Sequence, residues 1–118
     1  MIQEVFGVNA HIRAVTDKFA SEGYLAVAPG IFEHVEPNFE VGYDSQSRER
    51  GMAIVGKTDR DQMLRDVAAA IEVAWQGGKV AVVGFCLGGT IAWAAAGRFR
   101  ASAPRLAITA AGSSGLRT

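Results

Sequence analysis

The one cysteine of the chain, Cys86, stands in the segment GFCLGG, between an apolar run and two glycines. Gly84, Cys86 and Gly88 occupy the three defining places of the G-x-S-x-G nucleophile elbow, with a thiol in place of the hydroxyl. A nucleophile on such a strained turn needs small neighbours two residues away. Unpaired N–H groups at the start of the next helix favour a thiolate and a developing oxyanion, and the Leu87 amide is the natural first donor. The pattern favours a cysteine nucleophile. The alternative is a tight turn with a small buried thiol, which is common for free cysteine.

The elements that must position this turn are a strand before it and a helix after it. Residues 79–84 are β-branched and predict a strand, and the alanine-rich residues 87–99 predict a helix. A second apolar run, Tyr24 to Ala28, predicts a short strand that is buried on both faces. Helices that alternate with buried strands predict the α/β class, as a doubly wound and mostly parallel sheet with flanking helices.

Two further helices are expected upstream of the cysteine. Asn9 can cap a helix over residues 10–22, and a possible short helix ends the polar stretch 31–57. Thr58 followed by Asp61 resembles a capping box for another helix, which ends before Gly77. Trp75 and Trp93 are expected to pack in the core.

Composition excludes several classes of function. The chain has 118 residues with twelve basic and twelve acidic side chains, and no basic cluster supports nucleic acid binding. The apolar run around the cysteine is too short for a membrane span, and MIQEVFGVN lacks the features of a signal peptide. A single cysteine suits a reducing compartment, so the cytoplasm is the expected location.

GFCLGG after the strand KVAVVG, together with QEVFGVNAHIR near the start, resembles the dienelactone hydrolase (carboxymethylenebutenolidase) family of the α/β-hydrolase superfamily. The resemblance covers residues 1–103 and implies a partial α/β-hydrolase fold that opens a lactone or ester through a cysteine nucleophile. It implies a small-molecule substrate, no metal and no organic cofactor. By this resemblance Glu4 lies against Cys86, and the Val5 N–H completes the oxyanion hole with the Leu87 N–H.

Two charged residues acquire roles through the resemblance. A carboxylate at Glu4 could hold the thiol proton until substrate frees the thiolate, whereas alone it would be a surface acid before a turn. The family grips the substrate carboxylate with arginines, and Arg48 falls at one of those positions. The alternative for Arg48 is a solvated charge in a polar loop.

The usual acid and histidine of this fold follow the nucleophile in the chain, but residues 87–118 contain no Asp, Glu or His. His11 and His34 both precede Cys86 and are expected on the surface. A truncated chain with weak or absent ester hydrolysis is therefore expected. The alternative is a non-catalytic α/β fragment or binding module, with self-association through open sheet edges. A thiol redox sensor is a third possibility, although the chain has no resolving cysteine.

Residues 104–118 form a divergent tail in this interpretation. A shifted reading frame from Ala103 onward could encode AAIGYYGGRI, which would restore the family's GYYG segment. The alternative is that LAIT, residues 106–109, is a genuine divergent strand followed by a tail. The codons of the gene would distinguish the two.

Overall fold

The fold is described by a computed structural model that covers residues 1–99, 107–112 and 115–117. Its elements in chain order are α1 (Ala10–Ser21), α2 (Ser45–Val55), α3 (Arg60–Ala74), a 3-10 turn (Trp75–Gly77), β1 (Ala81–Phe85), α4 (Leu87–Phe99), β2 (Ala107–Gly112) and β3 (Gly115–Arg117). Helices alternate with strands from α3 onward, so the expected α/β class is confirmed at that level.

The sheet has three strands in the order β1-β2-β3, with β2 in the middle. β1 and β2 pair in parallel, with Val82 opposite Ile108, and β3 returns antiparallel to β2. The α4 helix makes the crossover that a parallel pair requires. On the other edge of β1, the Ile2 N–H donates to the Val83 carbonyl at 2.7 Å. The start of the chain is thereby fixed next to the strand that leads to Cys86.

The C-terminal predictions meet the structure only in part. Residues 100–106, which include the expected boundary at 103/104, lie outside the described residues. The alternative in which LAIT forms a strand agrees with β2, which begins at Ala107. The shifted reading frame stays a prediction.

The first helix forms as expected, because its cap is well satisfied. Asn9 Oδ1 accepts from the Ile12 N–H at 3.1 Å, while Asn9 Nδ2 donates to the Val41 carbonyl at 3.1 Å. The helix ends before Gly23, which has a φ of 97°. Asn9 thus caps α1 and ties the helix to a segment 32 residues later.

The expected capping box at Thr58 is wrong. Asp59 is the N-cap of α3 and accepts from the Asp61 N–H at 3.0 Å. Thr58 Oγ1 instead donates to the Val55 carbonyl at 2.8 Å. Because α2 ends at Val55, that carbonyl lacks a helical partner, and the Thr58 hydroxyl satisfies it.

The expected buried strand at Tyr24 to Ala28 is also wrong. Tyr24 is 65% and Leu25 49% exposed, and the segment belongs to no strand. Its carbonyl at Val27 accepts from the Met1 ammonium at 2.8 Å, and burial lowers the pKa of that ammonium. An apolar groove of about 240 Å³ separates the segment from β1. An apolar run becomes a strand only where its backbone finds a partner strand.

The core is formed jointly by β1, α2, α3, α4 and the segment 31–39, with Ile2, Phe32 and Val67 among its most buried side chains. Trp75 and Trp93 are 41% and 61% exposed, so their expected burial is wrong. On α4 the buried positions include Ile91, Ala92 and Ala95, and Trp93 lies on the opposite side of the helix.

Within the described ranges, the helices are all too short or too polar to cross a membrane.

Candidate active site

Cys86 lies at the junction between β1, which ends at Phe85, and α4, which begins at Leu87. Its φ is 58°, in the left-handed region that residues with a side chain rarely adopt. The residue is partly exposed, and its thiol is free. The backbone therefore has the strand, sharp turn and helix of a nucleophile elbow. The catalytic role of Cys86 stays a prediction.

Gly84 and Gly88 are required by close backbone packing around this turn. A Cβ on Gly84 would overlap the carbonyl of Gly88. A Cβ on Gly88 would stand 2.5 Å from the Ile2 carbonyl oxygen and 2.6 Å from that of Gln3. The first turn of α4 is thus pressed against residues 2 and 3. This contact brings the elbow next to the turn that carries Glu4 and Val5.

Gln3 braces that turn from the inside, and the sequence interpretation did not identify it. The side chain is 1% exposed. Its Nε2 donates to the Glu4 carbonyl at 3.2 Å, and its Oε1 accepts from the Ile31 N–H at 3.0 Å. A buried amide with both ends satisfied fixes its surroundings. The signal in the sequence was a glutamine between apolar Ile2 and the candidate acid Glu4.

The two candidate oxyanion donors are the backbone N–H groups of Leu87, after the elbow, and of Val5, in the turn beside it. Leu87 is the first residue of α4, so its N–H has no partner within the helix. Among the hydrogen bonds of the described residues, the Val5 N–H has no carbonyl acceptor. Their role as an oxyanion hole stays a prediction.

Glu4 does not hydrogen-bond to Cys86 in the part of the chain that the structure describes. Its Oε1 accepts instead from the Tyr43 hydroxyl at 2.9 Å. Burial and, to a smaller extent, the contact with Glu4 raise the pKa of Tyr43, against an opposing contribution from Asn9. Tyr43 was not identified from the sequence, since 39 residues separate it from Glu4.

Arg48 lies in α2 and not in the expected loop. Its side chain is exposed and makes no ion pair with the described residues. Three residues later on α2, Gly51 touches the Val5 carbonyl so closely that a Cβ would overlap it. Residues three apart share one side of a helix. Arg48 thus stands one helical turn before the residue of α2 that contacts Val5, with its own side chain exposed.

Both histidines are exposed, as expected. The ring of His11 lies 6.1 Å from that of Tyr43, edge to face. His34 Nε2 is 3.1 Å from Asp66 Oδ1 on α3. Among the described residues, no group of three or more His, Cys, Asp or Glu side chains is arranged to hold a metal ion.

An elbow cysteine between a parallel strand and a helix defines an α/β-hydrolase type of site. The sequence profile described as the dienelactone hydrolase family matches residues 1–109, and the chain belongs to that family. Three relatives illustrate the match. A Synechocystis protein described as "Putative carboxymethylenebutenolidase" is 41% identical over 98 residues, which are 79% of this chain and 40% of the relative. "Carboxymethylenebutenolidase 1" of Cupriavidus pinatubonensis is 35% identical over 101 residues, which are 81% of this chain and 43% of the relative. "Carboxymethylenebutenolidase" of Pseudomonas putida is 34% identical with the same coverage.

The chain thus spans about two fifths of the length of these relatives. The family resemblance of GFCLGG and QEVFGVNAHIR is confirmed, and with it the α/β-hydrolase superfamily.

Proposed function

We propose that Cys86 is the nucleophile of a dienelactone hydrolase type of reaction. The observation that carries this proposal is its left-handed φ of 58° at the strand-to-helix junction, on a partly exposed thiol. Strained backbone of this kind is concentrated at functional sites. At Gly84 and Gly88 an added Cβ would overlap backbone atoms, so the turn around Cys86 requires glycine at both positions.

In the proposed reaction the Cys86 sulfur attacks the carbonyl carbon of a lactone or ester. Glu4 takes the thiol proton, and the Leu87 and Val5 N–H groups hold the oxyanion. Collapse of this intermediate breaks the carbon–oxygen bond to the leaving alkoxide, which takes up the proton held by Glu4, and leaves an acyl thioester on Cys86. Water then hydrolyses the thioester to the free acid and restores the thiol. These steps need no cofactor.

The substrate in this proposal is a small lactone or ester that bears a carboxylate. Two of the three relatives carry the plain name carboxymethylenebutenolidase, and that name supports an unsaturated lactone acid as the substrate of the whole protein. Arg48 would bind the substrate carboxylate, because it is an exposed cation one turn before Gly51 that makes no ion pair with the described residues. Membership in the dienelactone hydrolase family also supports a doubly wound sheet, which we propose as the finer architecture.

Residues 87–118 contain no Asp, Glu or His, so we propose that the 118-residue chain is impaired in turnover. A histidine would ordinarily activate the water that releases the acyl group. Formation of the thioester needs only the groups already described. Acylation is therefore expected to outrun deacylation.

The test separates these two halves of the reaction. The chain is mixed with excess p-nitrophenyl acetate, and nitrophenolate release is followed together with intact mass. We expect release of about one equivalent per chain, an acetyl adduct on Cys86, and a slow later phase. Cys86→Ala should abolish the adduct at this position and the rapid phase, while Cys86→Ser should retain at most a slow release. Equal release from wild type and Cys86→Ala would overturn the proposal and favour a non-catalytic module.

A further inference from the structure

The Tyr43 hydroxyl and the Glu4 carboxylate form the one side-chain hydrogen bond of Glu4 in the described part of the chain, at 2.9 Å. We propose that Tyr43 is a positioning residue that orients the Glu4 carboxylate towards the Cys86 thiol. This inference rests on the proposed function and adds a residue to it.

Tyr43 is held against the same turn that carries Glu4. Its ring meets that of Phe6 edge to face at a centroid distance of 4.5 Å, and Phe6 is 8% exposed. The chain leading to Tyr43 is fixed there as well, since the Val41 N–H donates to the Phe6 carbonyl at 3.0 Å. Asn9 Nδ2 holds the Val41 carbonyl from the other side. The hydroxyl therefore reaches Glu4 from a braced segment and not from a free loop.

The turn itself has little freedom. The Gly7 N–H donates to the Glu4 carbonyl at 3.2 Å, and Gln3 Nε2 donates to the same oxygen. The backbone of Glu4 is thus fixed, and only the rotation of its side chain remains open. A hydrogen bond from Tyr43 to one carboxylate oxygen removes that rotation. The second oxygen has no donor among the described residues, and in the proposed reaction it receives the thiol proton.

This arrangement satisfies the general requirement for an activated nucleophile. Such sites contain a nucleophile, a base, and a third group that orients the base. Cys86, Glu4 and Tyr43 would take these three positions in turn. A tyrosine hydroxyl is protonated at neutral pH and therefore remains a donor to the carboxylate, and burial raises the pKa of Tyr43 further.

The test measures the rate constant of Cys86 acylation by p-nitrophenyl acetate at pH 6.5 and pH 9. The variants are Tyr43→Phe, Glu4→Gln and the double variant, with Tyr24→Phe as the matched control. Tyr24 is 65% exposed, its ring contacts that of Phe19, and among the described residues its hydroxyl makes no hydrogen bond to Glu4. Tyr43→Phe keeps the ring that packs on Phe6 and removes the donor alone.

At pH 6.5 we expect Tyr43→Phe to slow acylation about fivefold and Glu4→Gln about tenfold or more. At pH 9 a thiol ionises without help, so all variants should agree within about twofold. Tyr43→Phe should have no further effect once Glu4 is Gln. Tyr24→Phe should match the wild type at both pH values.

Three results would overturn the inference, and they differ in what they leave standing. Equal slowing of Tyr43→Phe at both pH values would show a structural role only. If Tyr43→Phe acylates at the wild-type rate and Glu4→Gln is slow, Glu4 remains the proposed base and Tyr43 has no positioning role. If Glu4→Gln acylates at the wild-type rate while Cys86 is still required, neither Glu4 nor Tyr43 has the proposed role, and Cys86 remains the proposed nucleophile.

Discussion

Gly88→Ala tests whether the elbow really lies beside the Glu4–Val5 turn. The new Cβ would meet two backbone oxygens, at 2.5 Å from Ile2 and 2.6 Å from Gln3, where ordinary contact begins at 3.4 Å. Neither oxygen can rotate away, because the Ile2 N–H is hydrogen-bonded to the Val83 carbonyl and Gln3 is buried. The first turn of α4 must therefore move by about 1 Å, and overpacking of this kind costs about 3 kcal/mol. Alanine recovers about 1 kcal/mol through helix propensity.

The net loss in the free energy of unfolding is then about 2 kcal/mol, which corresponds to about 8 °C in Tm. Urea unfolding followed by circular dichroism measures it. Gly97→Ala is the matched control on the same helix, since outside the helix's own backbone no atom of the described residues lies within 4 Å of its new Cβ. That variant should gain about 0.5 to 1 kcal/mol. If the two variants are equally stable, α4 does not pack on residues 2 and 3, and the reasoning about the site is refuted.

Three further predictions concern the N-cap of α1 and two groups whose pKa is shifted in the folded chain. Asn9→Ala should lower the free energy of unfolding in urea by about 2 kcal/mol, because Asn9 is buried and the variant loses two hydrogen bonds. Asp44→Ala, which removes the exposed cap of α2, should lower it by about 1 kcal/mol. Equal losses in the two variants would contradict the role of the contact with Val41. The Met1 ammonium has a lowered pKa in the folded chain, so the folded chain loses this proton at a lower pH than the unfolded chain. The free energy of unfolding should therefore rise with pH up to about 8, and this rise should disappear after N-terminal acetylation. Identical pH profiles of the acetylated and unacetylated chains would exclude the effect. The raised pKa of Tyr43 gives the opposite sign, so melting temperature should fall as pH rises through about 10, and less so in Tyr43→Phe. A pH dependence unchanged in Tyr43→Phe would be the contrary result.

The local elements were predictable from spacing because their determinants are neighbours in the chain. The α1 helix follows from Asn9 and the apolar positions after it, and α4 has the bounds expected from residues 87–99. The elbow follows from glycines two residues either side of Cys86. Helix periodicity and tight turns depend on residues a few positions apart.

Contacts between distant segments were not predictable in the same way. Tyr24 to Ala28 has the composition of a strand, yet no partner strand pairs with it among the described residues. Trp93 is hydrophobic, yet smaller residues of α4 occupy the buried side. Apolar composition alone does not identify which face the rest of the chain covers.

The sequence by itself determined the family, the position of the thiol and the strand and helix around it. These properties follow from the order of residues in the short segments QEVFG and GFCLGG. Only the tertiary structure decided that the Glu4 carboxylate meets Tyr43, that Arg48 is carried on α2, and that Gln3 braces the turn. The physical reason is that a side-chain hydrogen bond across 39 residues depends on how the intervening segments pack, and no local pattern encodes that packing.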